Sequence, residues 1–285
     1  GLFNNGTVVW RAILGANLPC GGPAFPLATP AVRARYEFTK NTSWLVAVFN
    51  GGPAKPGLGD PQIRNPHGVD FRWRHGAYVV TEAQHKYNQE KDAAGLPGSI
   101  KLGVWRHLAR FDDQRWGTDN LSLANPASNG IARRHNGNYG VYGMLDQMVW
   151  RLEGDKGVGI FARAFANPSD RNPVAWQIDG GIVANGLIAA RPDDVFGLGV
   201  SYARISDRAR ALDADAVSFG AATSRRDFEA IVEANYQWQV MPGWTLQPNV
   251  QYIFHPGAHA ANPVDPAGKP IRNALVVGLR SGWKW

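Results

Sequence analysis

Between Asp227 and His255 the chain reads DFEAIVEANYQWQVMPGWTLQPNVQYIFH, and its apolar residues recur at every second position. Phe228, Ala230, Val232, Ala234, Tyr236 and Trp238 share one parity, opposite Glu229, Glu233, Asn235, Gln237 and Gln239. After the turn VMPG the alternation resumes, with Trp244, Leu246, Val250, Tyr252 and Phe254 against Thr245, Gln247, Asn249, Gln251 and His255. A period of two marks strands whose faces meet different environments, so this stretch is a hairpin. Pro248 interrupts the second strand, removes a ladder hydrogen bond and favours a bulge. The C-terminal NALVVGLRSGWKW repeats the pattern: Leu275, Val277, Leu279, Trp283 and Trp285 on one side, Arg280 and Lys284 on the other.

A soluble sandwich alternates in the same way, with its apolar face inward. Aromatic placement separates the two cases. Tyr236 and Trp238 cluster at one end of their strand, as do Trp283 and Trp285, while small or aliphatic residues fill the middle. Aromatic girdles around an aliphatic band are the outer surface of a transmembrane barrel with a polar interior. The predicted strands are 31–39, 43–50, 69–88, 98–110, 138–151, 158–167, 174–189, 195–206, 225–240, 243–255 and 271–285, with 3–16 as a weak further one, about twelve in all. Longer connections at 51–68, 111–137, 207–224 and 256–270 alternate with short ones, as in barrels with long outer loops and short periplasmic turns. The connection PSDRNP, 168–173, is too short for an outer loop.

Composition narrows the function. The net charge is +7, yet charged residues make up only 19% and basic runs are missing, which argues against nucleic acid as a partner. The single cysteine, Cys20, cannot form an intrachain disulfide or anchor a zinc site. No stretch of 18 apolar residues is present, which rules out a membrane-spanning helix, and GLFNNGTVVW does not read as a signal peptide. The histidines are dispersed; His75, His85 and His107 are the three that a sheet could bring close, and neither a metal nor a cofactor is expected.

The segments FARAFANPSDRN, DGGIVANGLIAARPDDVFGLGVSYARIS, LQPNVQYIFHPG and NALVVGLR resemble the carbohydrate-selective porin family, OprB type, and LPGSIKLGVWRH and NYGVYGMLDQMVW fit the same family. The resemblance runs over nearly the whole chain. It implies a 16-stranded outer-membrane barrel of a Gram-negative bacterium that passes glucose and related sugars and is not an enzyme. The twelve readable strands make residues 1–285 a single barrel domain, read as the C-terminal two-thirds of a longer one. Lipid, lipopolysaccharide and further copies of the chain are the other expected partners.

With polar faces inward, parity lists the lumen: Arg33, Arg35, Glu37, Arg72, Arg74, Glu82, Gln84, Lys86, Lys101, Trp105, His107, Asp146, Phe161, Arg163, Phe165, Gln177, Asp179, Asn185, Glu229, Glu233, Asn235, Gln251, Arg272 and Arg280. A sugar offers hydroxyls and an apolar C–H face, so its contacts need charge beside an aromatic ring. Trp105 between Lys101 and His107, and Arg163 between Phe161 and Phe165, meet that need; the two phenylalanines could equally pack against a loop folded into the barrel. Mid-strand Arg35, Glu82, Asp146, Arg163, Glu233 and Arg280 are the expected constriction, each with an alternative role as a structural ion pair. Arg106 and Arg110 take the lipid-facing parity and could meet lipopolysaccharide phosphates, unless a bulge turns them inward. A general or anion-preferring porin and, from another class, a soluble carbohydrate-binding sandwich are the competing functions.

Overall fold

The computed structural model describes residues 2–4, 12–23, 27–55, 60–70, 72–90, 93–152, 154 and 156–284. Within them eleven strands form one antiparallel meander in chain order. They are β1 (Ala31–Glu37), β2 (Thr42–Asn50), β3 (Ala77–Tyr87), β4 (Gly98–Gly117), β5 (Ala132–Arg151), β6 (Gly157–Ala166), β7 (Val174–Asn185), β8 (Val195–Ile205), β9 (Phe228–Met241), β10 (Trp244–Phe254) and β11 (Ala274–Trp283). Each pairs only with its neighbours in sequence, so local hairpins build the whole wall. Among the described residues no ladder joins β1 to β11, and the ring is open there.

The two faces are inverted relative to a soluble protein. The largest fully buried side chains include His107, Gln177, Glu233, Asn138, Asn172, Asn235 and Asp179. On the opposite face Leu275, Val277 and Leu279 are 66%, 72% and 71% exposed, and Ile178, Leu198, Val200 and Val250 are exposed with them. A bilayer accepts this arrangement because hydrocarbon covers the aliphatic band while the ladders pair every strand's backbone within the wall. Aromatic rings close the band at both ends. Trp176, Tyr202 and Phe228 stack in series at 5.2 and 4.9 Å, and Trp244 and Trp283 stack at 4.8 Å at the opposite rim. On β9, Phe228 and Trp238 are about 33 Å apart along the strand, which a tilt of about 40° converts to roughly 25 Å across the membrane. That is the height of an outer-membrane apolar band.

Connections 38–41, 88–97, 152–156, 186–194 and 242–243 leave one end of the sheet, and 51–76, 118–131, 167–173, 206–227 and 255–273 leave the other. The brevity of 167–173 has a physical cause. The β4–β5 hairpin extends over it: Gln114 N–H donates to the Asp170 carbonyl at 2.8 Å and Arg171 Nη1 to the Gly137 carbonyl at 2.9 Å. Asn138 and Asn172 exchange a pair of side-chain hydrogen bonds at 2.6 and 2.9 Å beneath it. The long hairpin takes the place of a loop.

Among the described residues, regular helix occurs ahead of β1 at α1 (Ala12–Asn17), followed by a 3-10 turn at Pro19–Gly21, and in the connections at α2 (Pro61–Arg64) and α3 (Asp207–Ser218). Ser206 starts α3 by accepting a hydrogen bond from Ala209 N–H at 3.2 Å, an N-cap that satisfies an otherwise orphan donor. Asn17, at the end of α1, imitates a strand partner, donating to the Val174 carbonyl at 2.7 Å and accepting from Val174 N–H at 3.0 Å. Both helices lean on the inner wall. Ala209 of α3 and Ala258 pack with Phe165, Val174, Ala203 and Ile205, and Leu18 packs with Tyr78 and Trp105.

Several sequence expectations change. Residues 12–16 are helical and 3–4 lie outside any strand, so 3–16 is not a twelfth strand; residues 5–11 fall outside the described set. β3 begins at Ala77 rather than 69, because 73–75 form a turn that leaves Arg72 and Arg74 ahead of the strand; Arg272 likewise precedes β11. β4 and β5 run far into the expected loop 111–137, and α3 lies in the expected loop 207–224. Pro248 sits opposite Leu279 without a bulge; the irregularity is at Trp244 and Thr245.

Candidate functional site

Cross-strand register carries the inward parity unbroken around the wall. One row reads Gln84, Lys101, Met144, Arg163, Asp179, Ser201 and Ile231; the next reads Lys86, Ser99, Asp146, Phe161, Gly181, Gly199, Glu233 and Gln251. These two rows bring together Lys101, Arg163, Asp146, Phe161 and Glu233 from the sequence-derived set. The Arg163 guanidinium lies 4.9 Å from the centre of the Phe161 ring. A pocket of about 350 Å³ opens beside them, with Lys86, Asp146, Phe161 and Asn185 in its lining. Asp146 and Lys86 are exposed to it, whereas Phe161 is largely covered by an edge-on contact with Phe3 at 5.5 Å.

Phe3 belongs to an N-terminal segment lying inside the wall. Asn4 N–H donates to Glu233 Oε1 at 2.7 Å, Asn235 Nδ2 to the same oxygen at 2.8 Å, and Gln247 holds the Leu2 carbonyl. Gly199 makes the fit possible, since a Cβ there would come within 2.7 Å of the Phe3 ring. Glu233 is therefore fully buried by this segment. The adjoining row places Glu82 beside Tyr142, whose hydroxyl donates to Glu82 at 2.7 Å, and Tyr142 stacks on Phe165 at 5.9 Å.

Besides Phe161, three further expected contact residues face inward but are covered. Trp105 is 5% exposed beneath Leu18 and Tyr78, and Phe165 is 5% exposed beneath residues of the α3 connection. His107 is fully buried between backbone groups: Nε2 lies 3.0 Å from the Gly51 carbonyl, and Nδ1 lies 3.1 Å from Ala109 N–H. That pairing fixes the neutral tautomer with Nε2 protonated and clips the β2–β3 connection to β4. Arg35, 3.1 Å from Glu37, and Arg280 lie on the two edge strands, away from the rows described above. Arg106 is exposed on the outward parity; a bulge falls between His107 and Arg110, and beyond it Arg110 pairs with Asn136, on the β5 parity of inward Asn138, and lines the outer pocket. His75 and His107 approach to 5.8 Å between ring centres, while His85 takes the outward parity of β3.

Parity reasoning named Asp146 alone on β5, although the same rule points Asn138 and Tyr142 inward. It also missed Asp113 on the upper part of β4. Asp113 accepts from His135 Nε2 at 2.8 Å and from Arg208 of α3 at 2.5 Å, and Arg115 meets Asp215 of α3 at 2.8 Å. Arg115 holds Asp215 below the usual carboxylate range.

At the outer end a pocket of about 700 Å³ is lined by Arg72, Arg74, His75, Arg110, Arg134 and Arg171, with Asp112 among them. Burial first, and then the charge of Arg72, hold the His75 pKa below its ordinary value of 6.5. Arg72 lies 3.1 Å from His75 Nδ1 and donates to the neutral ring. A depressed histidine pKa stabilises the docked connection above about pH 6.5, and that stability is lost as pH falls through the folded-state value. A spin label on exposed Ile63 of the same connection should therefore become more mobile between pH 7 and pH 5, and His75→Gln should abolish the change. The same gain in mobility with glutamine present would contradict the assignment.

Compared with known protein families, residues 1–285 match the carbohydrate-selective porin, OprB family. The chain belongs to the OprB family. As an OprB-family chain it is an outer-membrane protein, and the family is one of channels. It is 26% identical over 268 residues to Porin B of Pseudomonas aeruginosa, across 90% of this chain and 55% of that protein. A solved high-pH structure of Pseudomonas putida OprB has the same fold, with a TM-score of 0.75 at 23% identity, across 91% of this chain and 59% of that one. This OprB-family chain thus spans a little over half the length of the relatives it matches.

Proposed function

We propose that the chain forms the larger part of an outer-membrane pore through which glucose and related sugars diffuse passively. The observation that carries this reading is the pocket at Phe161, where an aromatic ring, the Arg163 cation and the Asp146 carboxylate share the inner wall of a chain matched along its length to a carbohydrate-selective porin family. The part of the ring that Phe3 leaves open to the pocket suits a sugar's C–H face, and the charges beside it exchange hydrogen bonds with its hydroxyls. Lys101, Lys86 and Asn185 extend the polar track, while Trp105, Phe165 and His107 shape the wall behind it. Binding must stay weak for release to be fast. The passage uses no acid–base pair, and the chain is not an enzyme.

The strands that close the gap between β1 and β11 belong to the part of the relatives that this chain does not span, giving the family's 16. Arg106 faces lipopolysaccharide phosphates at the outer rim, whereas Arg110, beyond the bulge, belongs to the outer pocket. Proteoliposomes carrying the protein should swell faster in glucose than in a trisaccharide of equal osmolarity. Swelling no faster than in protein-free vesicles contradicts the reading. The arginines of the outer pocket favour a second property, a modest preference for anions such as sugar acids, which a reversal potential in a salt gradient measures directly.

A further inference from the structure

At the outer end of β10 residues 255–259 read HPGAH, two imidazoles four positions apart. The segment is not a regular helix: His255, Gly257, Ala258 and His259 have φ of 49°, 65°, 58° and 70°. Three of these are not glycine, and side chains disfavour left-handed backbone, so such a run persists only where neighbouring contacts impose it. Those contacts converge on Asp227, the residue before β9. Its N–H donates to the Ala258 carbonyl at 3.0 Å, and its own carbonyl accepts from Ile205 N–H at 2.9 Å.

The turn folds His259 back over His255, with the rings within 7° of parallel and 4.1 Å apart, and Phe228 supports His255 from 4.4 Å. His255 Nδ1 lies 3.1 Å from Asp227 Oδ1, and His259 Nδ1 lies 3.8 Å from Asp227 Oδ2. One ligand atom from each of the three residues falls within 4.8 Å of the others. Two tetrahedral ligands of zinc, each about 2.0–2.1 Å from the ion, are about 3.4 Å apart. The two Asp–His distances, each to its own carboxylate oxygen, straddle that edge length; because stacked rings point their lone pairs in parallel, one imidazole rotates out of the stack for both to meet a single ion.

We propose that Asp227, His255 and His259 form a binding site for a borderline divalent transition-metal ion such as Zn²⁺, with the remaining coordination positions open to water. Two imidazoles with one carboxylate suit zinc, cobalt or nickel, whereas calcium and magnesium take oxygen ligands. A bound ion ties the β8–β9 connection to the β10–β11 connection at the rim. None of the three residues lines the Phe161 pocket, so the site stands or falls independently of sugar passage.

The test is titration of the detergent-purified protein, carrying no polyhistidine tag, with Co²⁺ followed by visible absorption and with Zn²⁺ followed by calorimetry. The expected result is one ion per chain, with the intense bands of four- or five-coordinate Co²⁺ rather than the weak bands of an octahedral ion. His255→Gln and His259→Gln, each checked for retained strand content by circular dichroism, should lose affinity by roughly tenfold or more. His75→Ala, at the other close histidine pair, should bind as the parent does. Failure to bind one ion per chain, or binding that survives both glutamine substitutions, overturns the proposal.

Discussion

Asp113→Ala is expected to raise the single-channel conductance and make the open current fluctuate. The carboxylate has no exposed side-chain surface and gathers four donors: His135, Arg208 and the backbone N–H groups of Arg115 and Trp116, the last two at 2.9 and 3.0 Å. Without it, Arg208 and His135 lose their shared counter-charge and two amides lose their acceptor. Removing one partner of a buried pair costs about 3–5 kcal/mol, which screening at partly exposed Arg208 reduces to roughly 2 kcal/mol. A loss of that size multiplies the undocked population of α3 about thirtyfold. Because Ala209 of α3 packs on Phe165 and Ala203, which both face inward, undocking widens the passage. Asp113→Asn, which keeps two of the four acceptor contacts, should have a smaller effect. Unchanged conductance in the alanine variant would show that α3 does not narrow the pore.

Trp105→Ala should destabilise the barrel by about 3–5 kcal/mol, the usual cost of deleting a buried large aromatic side chain, while leaving glucose affinity nearly intact. The ring is enclosed by Leu18 and Tyr78, with Phe49, Val80 and Tyr142 partly buried against it. Denaturant unfolding in detergent and glucose block of current measure the two quantities separately. Arg163→Ala should show the reverse pattern, with little loss of stability and a weakened block. A collapse of glucose affinity in Trp105→Ala, with wild-type unfolding, would return the ring to direct sugar contact.

The contrast between Trp105 and Arg163 shows how far a sequence carries. Period-two alternation determines which way a strand residue points, and every inward assignment on β1 to β11 agrees with the cross-strand register. What covers an inward residue is a different question. Leu18 lies far from Trp105 in sequence, and no local pattern links them. The helices were hidden for a related reason: α1 is six residues long, too short to show a period, and α3 buries only Ala209 against the apolar patch of Phe165, Val174, Ala203 and Ile205, so it needs no apolar stripe of the kind that marks a helix on a soluble core. Ser206 followed by DRARALDADAVS was the available signal for α3, a capping residue ahead of an alanine-rich run. The upper parts of β4 and β5 read as loop because beyond the apolar band both faces meet polar surroundings, and RFDDQRWG loses its alternation there.

The strand ends, by contrast, were legible wherever the bilayer imposes them. Tyr236 with Trp238, and Trp283 with Trp285, marked one interface; the structure stacks Trp283 on Trp244 at that rim, Trp285 lies outside the described residues, and the opposite rim of Trp176, Tyr202 and Phe228 is assembled across three strands. The histidines read as dispersed in the sequence, and the juxtaposition of His255 and His259 with Asp227 depends on the fold of two separate connections.

The most direct test of a sugar-selective passage is single-channel current in a planar bilayer during a glucose titration. Stable channels whose current falls in a saturable way as glucose rises, with the block weakened by Arg163→Ala, are the predicted result. Channels whose current is indifferent to glucose at every concentration would contradict it.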